Sequence, residues 1–200
     1  PDLGFSFSRS QPSVQLIKVA LPVTLTLNFI AVPIIYLIAI PSGVLAATRR
    51  GTWIDVGSGA LFVALWSIPI VWAGVLAVGY LGSEKYFLGE YAFPSKGLHA
   101  LDATSYAFLP SVHEGVWHRG YLLDMLWHLC LPVACLVYGG FAVLSKQTRA
   151  AMLDNFNADY VRTAKAKGVS GPAIVFRHVF RNSLLPLITM FATVFPLLLS

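Results

Sequence analysis

Charge is scarce in this sequence: only 12% of its 200 residues are Asp, Glu, Lys or Arg, while 56% are hydrophobic. Soluble domains carry roughly twice that share of charge, about 25%. The shortage excludes a disordered chain, which needs charge and few apolar residues, and is incompatible with an ordinary soluble globule. Cysteine is nearly absent. Cys130 and Cys135 stand five apart in one apolar segment, on different helix faces, with no CxxC or Cys/His zinc spacing. They read as two small membrane-buried hydrophobes. Phosphate-cradling GxxxxGK[ST], GxSxG and HExxH are all missing, so nothing here points to a P-loop nucleotide site, a serine hydrolase or a zincin. Acidic residues are missing from the apolar interiors, which argues against an ion-coupled pump that powers itself. No internal repeat or low-complexity tract is visible. The sequence starts at Pro1 and stops at Ser200 inside an apolar run, and is read as the middle of a longer protein.

What is present is a set of long apolar runs. A membrane-crossing helix needs about 20 predominantly apolar residues. Val19–Ala47 and Val56–Leu81 qualify without a charge; Met125–Leu144 has His128 as its only ionisable group; a fourth run starts near Ser183. Backbone amides inside hydrocarbon must be paired internally, and the strand alternation of a barrel is missing, so helices are expected. The expected fold class is all-α: a polytopic transmembrane helical bundle, of which this is a fragment with about four spans. Prolines stud these runs. Pro69 and Pro132, mid-span or followed by a long apolar stretch, are the hinge candidates.

The connecting segments differ in charge. Residues 48–55 carry Arg49 and Arg50. Residues 145–182 carry Lys146, Arg149, Arg162, Lys165, Lys167, Arg177 and Arg181. Residues 82–123 mix Lys85, Lys96 and Arg119 with Glu84, Glu90, Asp102 and Glu114. The excess of Lys and Arg places the first two segments in the cytoplasm and 82–123 outside. Trp117, Tyr121 and Trp127 then form an interfacial aromatic belt, with a short helix expected near Tyr121. His99, His113, His118 and His128 lack tight spacing and a carboxylate partner, so they read as polar-loop and interfacial histidines, not as a metal site. Asn28, deep in the first span, reads as interhelical glue.

The segment 145–182 is long for a connection, and long connections tend to be functional. Residues 142–156 are good helix material that extends the third span. Asn157 or Asp159 is placed to cap a new helix, Tyr160, Val161 and Ala164 fall at helical spacing, and Gly168 followed by Gly171-Pro172 ends it. A short two-faced helix with a defined stop suits docking into a groove of a soluble partner. Contact with anionic headgroups would need only charge and would not require that stop.

Asp159-Tyr-Val-Arg-Thr-Ala-Lys-Ala-Lys-Gly-Val-Ser170, followed by Phe176-Arg-His-Val-Phe-Arg-Asn-Ser-Leu-Leu-Pro186, resembles the cytoplasmic EAA loop of binding-protein-dependent ABC importer permeases. The variant is that of the dipeptide/oligopeptide branch, with Arg162-Thr163-Ala164 and Gly168 where the general loop has Glu-Ala-Ala and Gly. The later Ile-x-Leu-Pro element, which would fall at His178, Phe180 and Arg181, is absent. Gly4–Ile17 and Ala39–Ala47 leading into Arg49-Arg50-Gly51 are similar to the same branch, and Trp127–Val133 with Gly139-Gly140-Phe141 looks most like its microcin C-type peptide subgroup.

The resemblance implies a type I importer permease. Residues 1–200 would be part of one permease domain, with 145–182 as the cytoplasmic coupling loop and 82–123 as the external loop. The chain would be no enzyme and hold no cofactor, ATP and magnesium residing on partners. Those partners would be two ABC ATPase subunits, a second homologous permease and an extracytoplasmic substrate-binding protein, in a bacterial inner membrane and without nucleic acid. Asp159, Tyr160, Arg162, Thr163, Ala164, Lys165, Lys167 and Gly168 would contact the ATPase. Substrate-binding residues are unassigned. The readings set against it are an ATP-independent channel or structural membrane subunit, and a membrane enzyme built on the outer-loop histidines.

Overall fold

The computed structural model describes residues 4–83, 85, 86, 89, 92–94, 96–105, 107–113 and 116–197. The chain is helical. Its long elements are α1 (Ser13–Thr48), α2 (Trp53–Ser67), α3 (Ile70–Leu81) and α4 (Gly120–Phe156). Then come α5 (Asp159–Ala166), the single turn α6 (Gly171–Ala173), a π-helix over Ile174–Phe180, and α7 (Arg181–Leu197). Strand pairing among the described residues is confined to two small antiparallel hairpins, β1 (Phe5–Ser6) with β2 (Gln11–Pro12), and β3 (Ser111–His113) with β4 (Val116–His118).

Helices α1 and α4 are each long and apolar enough to cross a membrane, and a third crossing exists if α2 and α3 count as one broken span. Apolar side chains stand open along them, including Phe29, Leu37, Trp72 and Val143, as lipid-facing surfaces require. The run Val56–Leu81, expected as one helix, is in fact two. Pro69 has no N–H and its ring disfavours a helical residue before it, and here α2 stops at Ser67 with Ile68 extended. The freed Ile68 carbonyl accepts the Tyr138 hydroxyl at 2.8 Å. Pro132, by contrast, stays inside the unbroken α4. The expected helix near Tyr121 is the start of α4 itself. Within residues 82–123, Glu84, Glu90 and Glu114 lie outside the described part.

The chain divides into two compact units, residues 1–30 with 69–136 and residues 31–68 with 137–200. In the first, α4 anchors the segment before it. Phe93 stacks on Trp127 with centroids 4.1 Å apart, and the buried Asp124 accepts the Ala100 N–H at 2.7 Å. Asp124 also stands 3.6 Å from His128 Nδ1. A cavity of about 260 Å³ lies between α3 and α4, lined by residues including Gly74, Pro94, His128 and Pro132.

In the second unit, α1 and α4 meet through small residues. The Ser42 and Ser145 hydroxyls are 2.8 Å apart, and a methyl built on Gly43 would lie 2.6 Å from both the Ser145 carbonyl oxygen and Thr148 Cβ. Such close approach is how helices gain contact where burial in water offers no drive. Next to it Ala39, Leu144 and Leu187 form a core, with Tyr36 edge-on to Phe191 and Phe62 edge-on to Phe141.

Candidate functional site

The short helix α5 is the centre of a second core in that unit. Val161 and Ala164, three apart and therefore on one face, are buried with Ala47 of α1, Met152 of α4, and Ile174 and Val179 of the π-helix. Met152, Val161 and Val179 are fully covered. The opposite face is open: Asp159, Tyr160, Arg162, Thr163, Lys165 and Lys167 are all exposed. The eight residues expected from the sequence therefore divide. Seven lie on or beside the open surface, and Ala164 is a core residue of this chain.

Capping differs from the sequence expectation. The N-cap is Ala158, with extended backbone and no side-chain cap; neither Asn157 nor Asp159 fills that place. Asp159 sits in the first turn, where a carboxylate suits the positive end of the helix, and lies 3.5 Å from Arg162. At the other end the Val169 N–H reaches the Ala164 carbonyl at 3.1 Å and the Gly168 N–H reaches Lys165 at 3.0 Å. These are the paired bonds of a Schellman stop, and they require the left-handed φ of 77° that Gly168 adopts.

A polar chain ties α5 to its neighbours. The Tyr160 hydroxyl donates to Asn155 Oδ1 at 2.5 Å, and Asn155 Nδ2 donates to the Ala151 carbonyl at 2.9 Å and to Ser183 Oγ at 3.1 Å. The buried Ser183 hydroxyl in turn lies 2.9 Å from the Val179 carbonyl. Both polar ends of Asn155 are used, so its orientation is fixed and α5, α4 and the foot of α7 are linked through one side chain.

One further group was not legible in the sequence. Asp55, in the first turn of α2 and ahead of the apolar run, takes a two-pronged contact from Arg149: Nε to Oδ1 at 2.5 Å and Nη2 to Oδ2 at 2.8 Å. The Gly51 N–H adds a third bond at 3.0 Å. The Arg149 guanidinium, then the Gly51 amide, hold the Asp55 carboxyl down at about 2, and the same contact pushes Arg149 up. The only sequence signal was an acid inside a basic turn, which names no partner 94 positions away.

Pro69 and Pro132 do not join this site. His113 and His118 stand on β3 and β4, and their side chains lie outside the described part. A second cavity, of about 600 Å³ and almost wholly apolar, opens beside α5's neighbours, lined by residues of α1 (Ile40, Val44, Thr48) and of the π-helix (Val175, Phe176, Phe180).

Residues 39–200 match a protein-family profile described as binding-protein-dependent transport system inner membrane component. Among curated relatives, the inner membrane ABC transporter permease protein YejB of Escherichia coli O157:H7 is 38% identical over 97% of this chain and 50% of its own length. The oligopeptide transport system permease protein AppB of Bacillus subtilis (strain 168) is 36% identical over 98% of this chain and 56% of its own. The probable D,D-dipeptide transport system permease protein DdpB of Escherichia coli (strain K12) is 31% identical over 94% of this chain and 55% of its own. The chain thus spans about half the length of the curated relatives it matches.

Proposed function

Since this chain belongs to the binding-protein-dependent transport system inner membrane components, multi-pass helical proteins of the bacterial inner membrane, we propose that it is the permease subunit of an ATP-driven importer of peptides or similar small solutes. It works beside a second permease, two ATPase subunits and an extracytoplasmic binding protein. The segment 145–182 faces the cytoplasm, and α5 is the helix through which closure of the ATPases reaches the membrane helices. ATP and magnesium stay on the partners, and this chain performs no covalent step.

The division of α5 into two faces carries the reading. A helix that only rested on lipid would need one basic surface. This one is locked by Val161 and Ala164 into α1, α4 and the π-helix, while its other face offers Tyr160, Arg162, Thr163, Lys165 and Lys167 outward. An element that transmits force needs both a rigid attachment and a free contact surface. With Ala164 inward, the open face makes the ATPase contact, Ala164 serves the attachment, and Gly168 sets the helix end. Pro69, at the break between α2 and α3, and Pro132, inside α4, are the proposed hinge positions.

The test is capture of the ATPases by the full-length permease, co-expressed with its partners and purified in detergent. Wild type captures them. Arg162→Glu/Lys165→Glu keeps the wild-type melting temperature and loses about tenfold or more in capture, because only exposed charges change. Ala164→Glu loses capture together with melting temperature, because it places a charge in a core. A well-folded wild type that captures no ATPase overturns the importer reading in favour of an ATP-independent channel or a structural subunit.

A further inference from the structure

The Asp55–Arg149 contact lies outside the surface just described, yet it sits one helical turn from the anchor of α5. Arg149 precedes Met152 on α4, and Met152 is the fully buried residue on which Val161 and Ala164 rest. Asp55 belongs to α2, and through the Gly51 N–H it also closes the turn that follows α1. Its side chain is 6% exposed, against 35% for Arg149. One carboxylate therefore gathers the end of α1, the start of α2 and the last part of α4.

We propose that Asp55 and Arg149 are a brace that makes α2 and the α1–α2 turn move as one body with α5, so that both act as positioning residues for coupling. The inference rests on the reading of α5 as the ATPase-facing helix. Two kinds of tie hold this region. The apolar tie, Ala47 and Met152 on Val161 and Ala164, holds α5 to α1 and α4 but is non-directional and includes no residue of α2. The two-pronged tie is planar: Nε and Nη2 meet separate oxygens, and neither helix can rotate or shift along the other without parting a bond. The shared Oδ2, held by both Nη2 and the Gly51 amide, extends that constraint to the turn. Arg50, the next cation along, adds attraction to Asp55 but makes no such fork. Stability alone would not call for this pair, since apolar residues of similar volume commonly replace a buried ion pair without loss. Directional transmission would.

The experiment separates these two roles. Spin labels go on Val56→Cys of α2 and Ala166→Cys of α5, both exposed positions, in a background where Cys130 and Cys135 are serine. The full-length permease, assembled with its partners in lipid nanodiscs, is measured without nucleotide and after trapping with ATP and vanadate. The braced protein gives one narrow distance distribution that trapping leaves in place. Asp55→Leu/Arg149→Met keeps the wild-type melting temperature and ATPase capture, but its distribution broadens about twofold or more on trapping. The exchanged pair Asp55→Arg/Arg149→Asp narrows it again. The brace is overturned if the apolar pair stays narrow in both states. It is equally overturned if that pair loses melting temperature and capture together, which would make the contact a fold-holding one. A wild type that captures no ATPase instead overturns the coupling reading itself, a result visible before any distance is measured.

Discussion

Gly43 shows how little of this packing can be read from single residues. Its missing side chain admits the Ser145 carbonyl oxygen and Thr148 Cβ, each 2.6 Å from where a methyl would stand. Neither can swing aside: one is backbone, the other a branched carbon fixed by its own helix, with Thr148 Oγ1 bonded to the Leu144 carbonyl at 2.8 Å. Gly43→Ala must therefore part α1 from α4, and is expected to cost about 1–3 kcal/mol, as overpacking does. Gly140→Ala is the control. Its methyl would meet Ile35 Cδ1 at 2.7 Å, the free end of a side chain that can rotate, so the loss stays under about 1 kcal/mol. Thermal unfolding of the two purified variants in one detergent decides it, and equal losses would show that α1 and α4 are not pressed together at Gly43. In the sequence Gly43 is one small residue in a stretch similar to a family. The same limit hid Asp55, whose role depends on a cation on another helix, and hid the inward direction of Ala164, since a short basic helix with two apolar positions does not declare whether they face its own chain or a partner.

At the level of elements, what depends on local chemistry was legible and what depends on competition between neighbours was not. The apolar runs located α1 and α4, although the helices begin earlier, at Ser13 and Gly120, than the runs at Val19 and Met125, and Gly168 marked the end of α5 because only a left-handed backbone closes that stop. Proline was ambiguous: Pro69 breaks a run and Pro132 does not, and hydropathy cannot tell one outcome from the other. The π-helix over Ile174–Phe180 had no signal at all. It is a register fault, its backbone bonds running i→i+5 in place of i→i+4, where Ile174 and Val179 must reach the α5 core while Ser183 must reach Asn155. Such turns are frequent at working sites. Removing Phe176, which is 62% exposed, should let the segment relax to ordinary α-helix. The expected outcome is a folded protein that still captures its ATPases but gives a changed α5 register, read as new cross-linking partners for a cysteine at Ala166. Unchanged cross-links would mean that the π geometry has no part in placing α5.

For the molecule as a whole, charge separates two crossing patterns that hydropathy allows. α1 and α4 are long and apolar enough to cross, while α2 and α3 are either one broken span or a re-entrant pair that returns to its own side. Suppose the pair is re-entrant. Then Arg49 and Arg50 share a side with residues 82–119, and the single crossing of α4 puts 145–182, with most of the remaining basic residues, on the other side. The basic segments would stand on opposite faces, against the rule that Lys and Arg collect in the cytoplasm. If the pair crosses, both basic segments are cytoplasmic and α5 can meet a soluble ATPase. Single cysteines at Thr52, Leu101 and Ser170, all exposed positions, separate the cases in a background without Cys130 and Cys135. A membrane-impermeant maleimide applied to intact cells should label position 101 alone, with 52 and 170 reacting only after permeabilisation. Labelling at both 52 and 101 would make α2–α3 a re-entrant pair. Labelling at 170 alone, or at 52 and 170 without 101, would put α5 on the outer face and remove the basis for coupling, because no cytoplasmic ATPase could then reach its open surface.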